Sequence, residues 1–229
     1  MPRTIYERAL DFVAAGATVG LGSGKASTEF IKLLGARVQA GLKIKGGVPT
    51  SEASGQLARD LGIPLLSLED AMPLDVAVDG ADEWDDGLDL IKGYGRALVR
   101  EKIVEAASKK FVCLVGPDKH VQRLGQRGKL PVEVVPLALP LARARLKEFG
   151  WDPILWSKDG KPALTDNGNY ILDCAIPSTA LIADPAATDT KILAIPGVLG
   201  TGLFVGMADV VLVGDEHFNL VAEKTRRPS

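Results

Sequence analysis

Apolar positions along the chain follow two spacings. Ile5, Ala9, Phe12 and Val13 recur at helical intervals, which predicts a helix over 3–14 that Gly16 ends. Residues 17–22, Ala-Thr-Val-Gly-Leu-Gly, form a continuous apolar run that predicts a buried strand. It runs into Ser23-Gly24-Lys25, and helical character follows from Ser27 to Leu34. The alternation then repeats. Residues 42–48 predict a second strand, Ser51 stands where an N-cap would open a helix to about Leu61, and Ile63–Leu68 and Leu74–Val78 predict two more strands. Lys110–Val115 is another buried strand, and Gly116-Pro117-Asp118-Lys119 turns the chain away from it.

From Leu130 the pattern changes. Residues 131–136 predict a short strand, Ala138–Phe149 a helix, and Trp151–Cys174 strands joined by Asp159-Gly160 and Asn167-Gly168 turns. A helix near 178–187 and a strand at Lys191–Ile195 follow, after which Ala208–Val213 returns to a buried strand. Alternating strands and helices indicate a mostly parallel sheet, whereas hairpins indicate antiparallel pairing. The expected class is α/β: a Rossmann-like, mostly parallel sheet domain over 1–129 and 204–229, with a smaller α+β, ferredoxin-like domain inserted at 130–203. The tail, residues 226–229, is expected to fray.

Composition narrows the function. With 229 residues, 46% hydrophobic and 24% charged, and a net charge of -2, the chain has no polybasic face for nucleic acid or an anionic membrane. No apolar run reaches the roughly 20 residues of a membrane span, and the first residues lack a signal peptide's apolar core, so the expected location is cytoplasmic. Cys113 and Cys174 are too few for a disulfide framework or a zinc motif and are read as buried reduced thiols. His120 and His217 have no paired ligand spacing.

Chemistry concentrates in residues 76–102. Six carboxylates lie between Asp79 and Asp89. Asp85, Asp86 and Asp89 are expected to form a solvated turn, whereas Asp79 and Asp82 directly follow an apolar strand. A calcium loop starting at Asp82 would put Trp84 at its third position and Gly93 at its twelfth, where a carboxylate belongs, so no metal site is expected. Lys92 enters a glycine turn through Gly93, Tyr94 and Gly95, where a cation can neutralise an oxyanion or simply pair with an aspartate. Glu101 shares its helix face with Ala97, Leu98 and Val104. Desolvation there would raise its pKa toward that of a general base, although the spacing alone also allows an ordinary helix carboxylate.

The glycine turn at 20–25 sits where a helix N-terminus can hold phosphate, with Ser23, Lys25 and Ser27 as further donors. The alternative is a tight turn that uses glycine for its backbone alone. Neither the dinucleotide fingerprint nor the P-loop fits, because Lys25, Val19 and Ala26 stand where those motifs need other residues.

At this point the chain resembles ribose-5-phosphate isomerase of the A type. The resemblance rests on Val-Asp-Gly-Ala-Asp-Glu (78–83), Ile-Lys-Gly (91–93) with Gly95, and Arg-Glu-Lys (100–102). Further similar blocks are Gly-Leu-Gly-Ser-Gly (20–24), Pro-Thr-Ser (49–51), residues 130–136, 165–169 and 195–198. It implies isomerisation of ribose 5-phosphate and ribulose 5-phosphate through a cis-enediolate, with no cofactor and no metal. Glu101 would be the base, Asp79 and Asp82 would handle hydroxyl protons and ring opening, and Lys92 would stabilise the enediolate. Substrate contacts would come from Ser23, Gly24, Lys25, Ala26, Ser27, Thr50, Ser51, Gly80, Ala81, Gly93, Tyr94, Gly95, Arg96 and Lys119. A homodimer or homotetramer is implied as well.

The chain departs from the family pattern twice. Gly24-Lys25-Ala26 replaces the usual Gly-Ser-Thr, and Tyr94 and Arg96 interrupt the usual run of glycines, so that Lys25 and Arg96 are candidate phosphate ligands and Tyr94 a residue that reshapes the pocket. The alternatives are an isomerase of another phosphorylated or free sugar, and a non-catalytic sugar-phosphate sensor. Such sensors carry a helix-turn-helix, for which there is no room before Ala17.

Overall fold

The computed structural model describes residues 3–226, which form two compact units. The first holds the chain up to Ala81, Arg100–Lys119, and the chain from Met207 onward. Its sheet has six strands in the order Leu220–Thr225, Val210–Gly214, Phe111–Val115, Val76–Gly80, Thr18–Leu21, Gly46–Pro49. All neighbours run parallel except Leu220–Thr225, which pairs antiparallel at the edge. Thr18–Leu21 and Phe111–Val115 are buried at every position, as strands covered on both faces must be. Phe30, Ile31 and Leu34 of the helix Gly24–Gln39 pack on Val19, Leu21, Val76, Val78 and Leu114 in one core. Each such fully buried side chain contributes about 2 kcal/mol.

The second unit holds Asp82–Val99 and His120–Gly206. Its main sheet is antiparallel, in the order Val198–Thr201, Lys129–Val134, Tyr170–Ala175, Asp152–Leu155. With the helices Leu139–Lys147 and Pro185–Leu193 the succession is βαββαβ, the ferredoxin-like arrangement. A smaller sheet joins Glu83–Trp84, Leu90–Ile91 and Leu203–Phe204. Those pairings explain why 82–99 and 120–129 group with this unit, although the change of pattern at Leu130 suggested otherwise. Leu203 pairs with Ile91, and the Val121 N–H donates to the Trp84 carbonyl at 2.9 Å.

Three local expectations are corrected. Ile63–Leu68 is not a strand: Pro64 has no N–H for a ladder, only the single bridge Gly47 to Leu65 forms, and Ser67 caps the short helix Leu68–Ala71. Residues 178–187 are a 3-10 turn, Ser178–Ala180, followed by a helix that starts at Pro185 and absorbs most of the Lys191–Ile195 strand. Asp184 caps that helix by accepting the Ala187 N–H at 2.9 Å, and the strand comes later, at Val198–Thr201. At the tail, Arg226 is anchored rather than frayed, donating through Nε to the Ala208 carbonyl at 3.0 Å, and residues 227–229 lie outside the described residues.

Candidate active site

In the first unit the loops at the carboxyl ends of adjacent parallel strands collect the polar residues, which is where open α/β sheets bind ligands. Asp79 is the penultimate residue of the Val76–Gly80 strand, paired opposite Cys113, and is 1% exposed. Its Oδ1 accepts the Ser27 hydroxyl at 2.6 Å, the Gly80 N–H at 2.7 Å and the Ser23 N–H at 3.0 Å. One carboxylate oxygen therefore ties the start of the Gly24–Gln39 helix to its own strand. Ser23 in turn contacts the Thr50 hydroxyl at 2.7 Å and the Ser51 hydroxyl at 2.8 Å, while Ser51 caps Glu52–Asp60 as expected.

Glycine is required at two points of this frame. A Cβ on Gly22 would fall on the Asp79 carboxylate itself. Gly22→Ala is expected to cost about 2 kcal/mol by overpacking, read from urea unfolding, and a change below about 0.5 kcal/mol would contradict that geometry. A Cβ on Gly20 would come 2.8 Å from Ala77 Cβ and from Val104 Cγ1. The missing side chain lets the helix Leu98–Ala106 settle against the sheet, and that helix carries Glu101 at 3% exposure. Glu105, one turn further on, is also 3% exposed. It was absent from the sequence reading, although its spacing of four from Glu101 puts it on the same face.

Of the other expected residues of this unit, Gly24 takes a φ of +87°, Lys25 is exposed and Ala26 half-buried. Ala81 follows Gly80 and closes this stretch of the unit. Lys119 ends a 3-10 turn after the Phe111–Val115 strand, half-buried, with Nζ 3.8 Å from Asp118 Oδ2.

In the second unit the Asp82 N–H donates to the Ile91 carbonyl at 2.8 Å, and Asp82 Oδ2 accepts the Tyr94 N–H at 3.0 Å. Lys92 is 2% exposed, with its N–H on the Gly202 carbonyl at 2.9 Å and its Nζ 5.3 Å from the centre of the Phe204 ring. A Cβ on Gly202 would strike the Lys92 carbonyl oxygen, so this approach needs glycine. Gly93 and Arg96 both have positive φ, +103° and +71°. Tyr94 donates its hydroxyl to the Lys129 carbonyl at 3.1 Å. Burial first, then the charges of Glu83 and Asp82, push the Tyr94 phenol well above its usual range.

The expected solvated turn is only partly solvated. Asp86 is exposed and lies 2.9 Å from His120 Nε2, but Asp85 Oδ1 accepts the N–H groups of Gly87 and Asp89, and Asp89 Oδ1 accepts that of Gly206 at 2.8 Å. Burial raises the Asp85 carboxyl above its ordinary value. Glu83, not singled out in the sequence, is fully buried and accepts the Gly125 and Arg127 N–H groups, each at 2.7 Å, and burial raises its carboxyl too.

The model for ribose 5-phosphate isomerase A (phosphoriboisomerase A) matches residues 46–217. A ribose-5-phosphate isomerase A of Roseiflexus castenholzii is 48% identical over 213 residues, covering 92% of this chain and 90% of that protein. A solved structure of D-ribose-5-phosphate isomerase in complex with phospho-erythronic acid superposes with a TM-score of 0.91 at 39% identity, covering 96% of each chain. The ribose 5-phosphate isomerase from Plasmodium falciparum gives a TM-score of 0.91 at 31% identity, over 98% of this chain and 97% of that one.

Proposed function

Since the chain belongs to the ribose 5-phosphate isomerase A family, we propose that it interconverts ribose 5-phosphate and ribulose 5-phosphate by proton transfer through an enediolate, a step of the non-oxidative pentose phosphate pathway. The observation that carries the reading is burial: Asp79, Lys92 and Glu101 are 1%, 2% and 3% exposed, and all lie inside the matched region. Charged side chains are rarely buried to this extent without a structural or catalytic use.

In the open-chain aldose the Glu101 carboxylate takes the proton from C2, and the electron pair moves into the C1–C2 bond as the C1 oxygen becomes an enediolate oxygen. The Lys92 ammonium balances that charge. The proton returns from Glu101 to C1, while the O2 hydroxyl gives up its proton and O1 gains one, exchanges assigned to Asp79 and Asp82. No electrons enter or leave the sugar, so the reaction balances with no redox partner.

The phosphate is assigned to the Ser23–Ser27 turn, supported by the N-terminus of a sixteen-residue helix, with Lys25, Thr50, Ser51 and Lys119 as neighbouring donors. Ser27, committed to Asp79, shapes this turn. The test is turnover of a panel of pentose and hexose phosphates followed by NMR. Ribulose 5-phosphate should form from ribose 5-phosphate, and turnover of a different sugar alone would overturn the assignment.

A homo-oligomer belongs to the same reading. Its support is apolar side chains left on the surface of the second unit, among them Leu137 at 93% exposure and Ile154 and Leu164 at 54%. Light scattering should return two or four times 24.2 kDa, and a mass of 24.2 kDa at micromolar concentration would contradict it. A cytoplasmic location is supported by the buried, reduced thiols of Cys113 and Cys174.

A further inference from the structure

The turn that carries Lys92 should be loose by its composition. Gly93 and Gly95 flank Tyr94, and glycines give a backbone its widest choice of conformations. Arg96 holds a left-handed φ of +71°, which an L residue occupies at a cost that glycine would avoid. Something must hold that conformation.

The side chains of Tyr94 and Arg96 supply the hold, and they turn toward the antiparallel sheet of their own unit. Arg96 makes a two-pronged ion pair with Asp173 on the Tyr170–Ala175 strand, at 2.7 and 2.9 Å, with both side chains mostly buried at 17% and 16% exposure. Its guanidinium also lies 5.0 Å from the centre of the Trp156 ring. Asp173 takes a second cation, Lys129 Nζ, at 3.2 Å. That ammonium sits 4.3 Å from the centre of the Tyr94 ring, and the Tyr94 hydroxyl donates to the Lys129 carbonyl. The circuit Arg96, Asp173, Lys129, Tyr94 closes on itself. It fastens the turn at both sides of Gly95 to two strands already paired in register, Ala175 opposite Lys129 and Asp173 opposite Pro131.

Two groups assigned to the chemistry depend on this turn. Lys92 lies two residues before Tyr94, and Asp82 accepts the Tyr94 N–H. A planar guanidinium on a carboxylate fixes direction as well as distance, which a lysine could not do. We propose that Tyr94 and Arg96 are positioning residues: the Arg96–Asp173 pair and the Tyr94–Lys129 seam clamp the Lys92 turn, and Arg96 is not a phosphate ligand. The proposal rests on the isomerase reading for the role of Lys92, but the clamp itself does not.

The experiment compares wild type, Arg96→Ala, Arg96→Lys, Asp173→Asn and the double variant Arg96→Ala/Asp173→Asn. With ribose 5-phosphate, each single variant should lose about 10- to 100-fold in kcat with KM within about threefold, since misplacing a catalytic group by about 1 Å costs that much. Arg96→Lys should recover only part of the loss. The losses in the double variant should fall well short of the product of the two single losses, because both substitutions remove the Arg96–Asp173 pair. A tenfold or greater rise in KM for Arg96→Ala at unchanged kcat would make Arg96 a substrate ligand and overturn the proposal, as would additive losses.

Amide hydrogen exchange separates this from the isomerase reading, since it needs no substrate. The Lys92 and Tyr94 N–H groups should exchange at least tenfold faster in Arg96→Ala and Asp173→Asn, while amides of the Tyr170–Ala175 strand keep their protection. Unchanged exchange at Lys92 and Tyr94 would sink the clamp even if the chain isomerises ribose 5-phosphate. Faster exchange in a chain that turns over no ribose 5-phosphate would uphold the clamp and sink the isomerase reading instead.

Discussion

Glu101→Gln is expected to lower kcat for ribose 5-phosphate by about a thousandfold while KM stays within a few-fold, because a general base contributes roughly 10²- to 10⁴-fold. The amide has the size and shape of the carboxylate but cannot take a proton from carbon. The position is 3% exposed on the helix Leu98–Ala106, so the packing that holds it is conserved in the variant. An amide of the same volume leaves the surrounding packing in place, so the variant should remain folded. A fall in activity accompanied by unfolding would be a different result. Circular dichroism and a melting curve on the same sample distinguish the two. Turnover within threefold of wild type would remove Glu101 from the mechanism.

Lys92→Met is the second large effect. Methionine keeps most of the lysine stem and loses the ammonium, whose Nζ lies 5.3 Å from the centre of the Phe204 ring. Donors aimed at a developing oxyanion contribute about 10²- to 10³-fold to kcat, and a loss of that size is expected here. Stabilisation confined to the enediolate should leave KM nearly unchanged, whereas a lysine that only bound the ground state would raise KM at constant kcat. The backbone of residue 92 is held independently, through the Gly202 carbonyl, so the turn should survive the substitution. Kinetics showing the KM pattern would reassign Lys92 to ground-state binding.

The parallel sheet could be read from the sequence because its strands are short, apolar and buried on both faces, so composition alone marks them. Asp79 was readable for the same reason: a carboxylate directly after such a strand sits at its carboxyl end. Burial of Glu101 is readable as helix spacing, and the same spacing carries Glu105, which lies beyond the Arg-Glu-Lys block. The edge strand Leu220–Thr225 was missed because most of its positions face solvent and carry Glu223, Lys224 and Thr225, which read as a polar tail. Lys191–Ile195 shows the opposite ambiguity, four apolar residues after a lysine that fit strand or helix. The Asp184-Pro185 pair upstream was the signal that decides for helix.

The largest gap lay at Tyr94 and Arg96. Departure from a glycine-rich pattern suggested that these side chains alter the substrate pocket. Sequence spacing has no means of placing Asp173, 77 residues away, against Arg96. That contact is made by the register of an antiparallel sheet, a non-local feature, and it turns two apparent anomalies into fasteners. Asp85 and Asp89 were misjudged for a related reason, since a cluster of carboxylates looks solvated until the backbone N–H groups that meet it are seen.

The central claim, that Glu101 carries a proton between C2 and C1, is tested most directly in heavy water. Ribose 5-phosphate is incubated with wild type and with Glu101→Gln, and the C1 and C2 hydrogens are followed by NMR. Part of the proton held on Glu101 exchanges with solvent before it is returned, so wild type should introduce deuterium at C1 of the ribulose 5-phosphate formed and, on reversal, at C2 of ribose 5-phosphate, and Glu101→Gln should do so at least about a thousandfold more slowly while still binding the sugar phosphate. Turnover of ribose 5-phosphate, or exchange into either sugar, by Glu101→Gln at the wild-type rate would contradict the account.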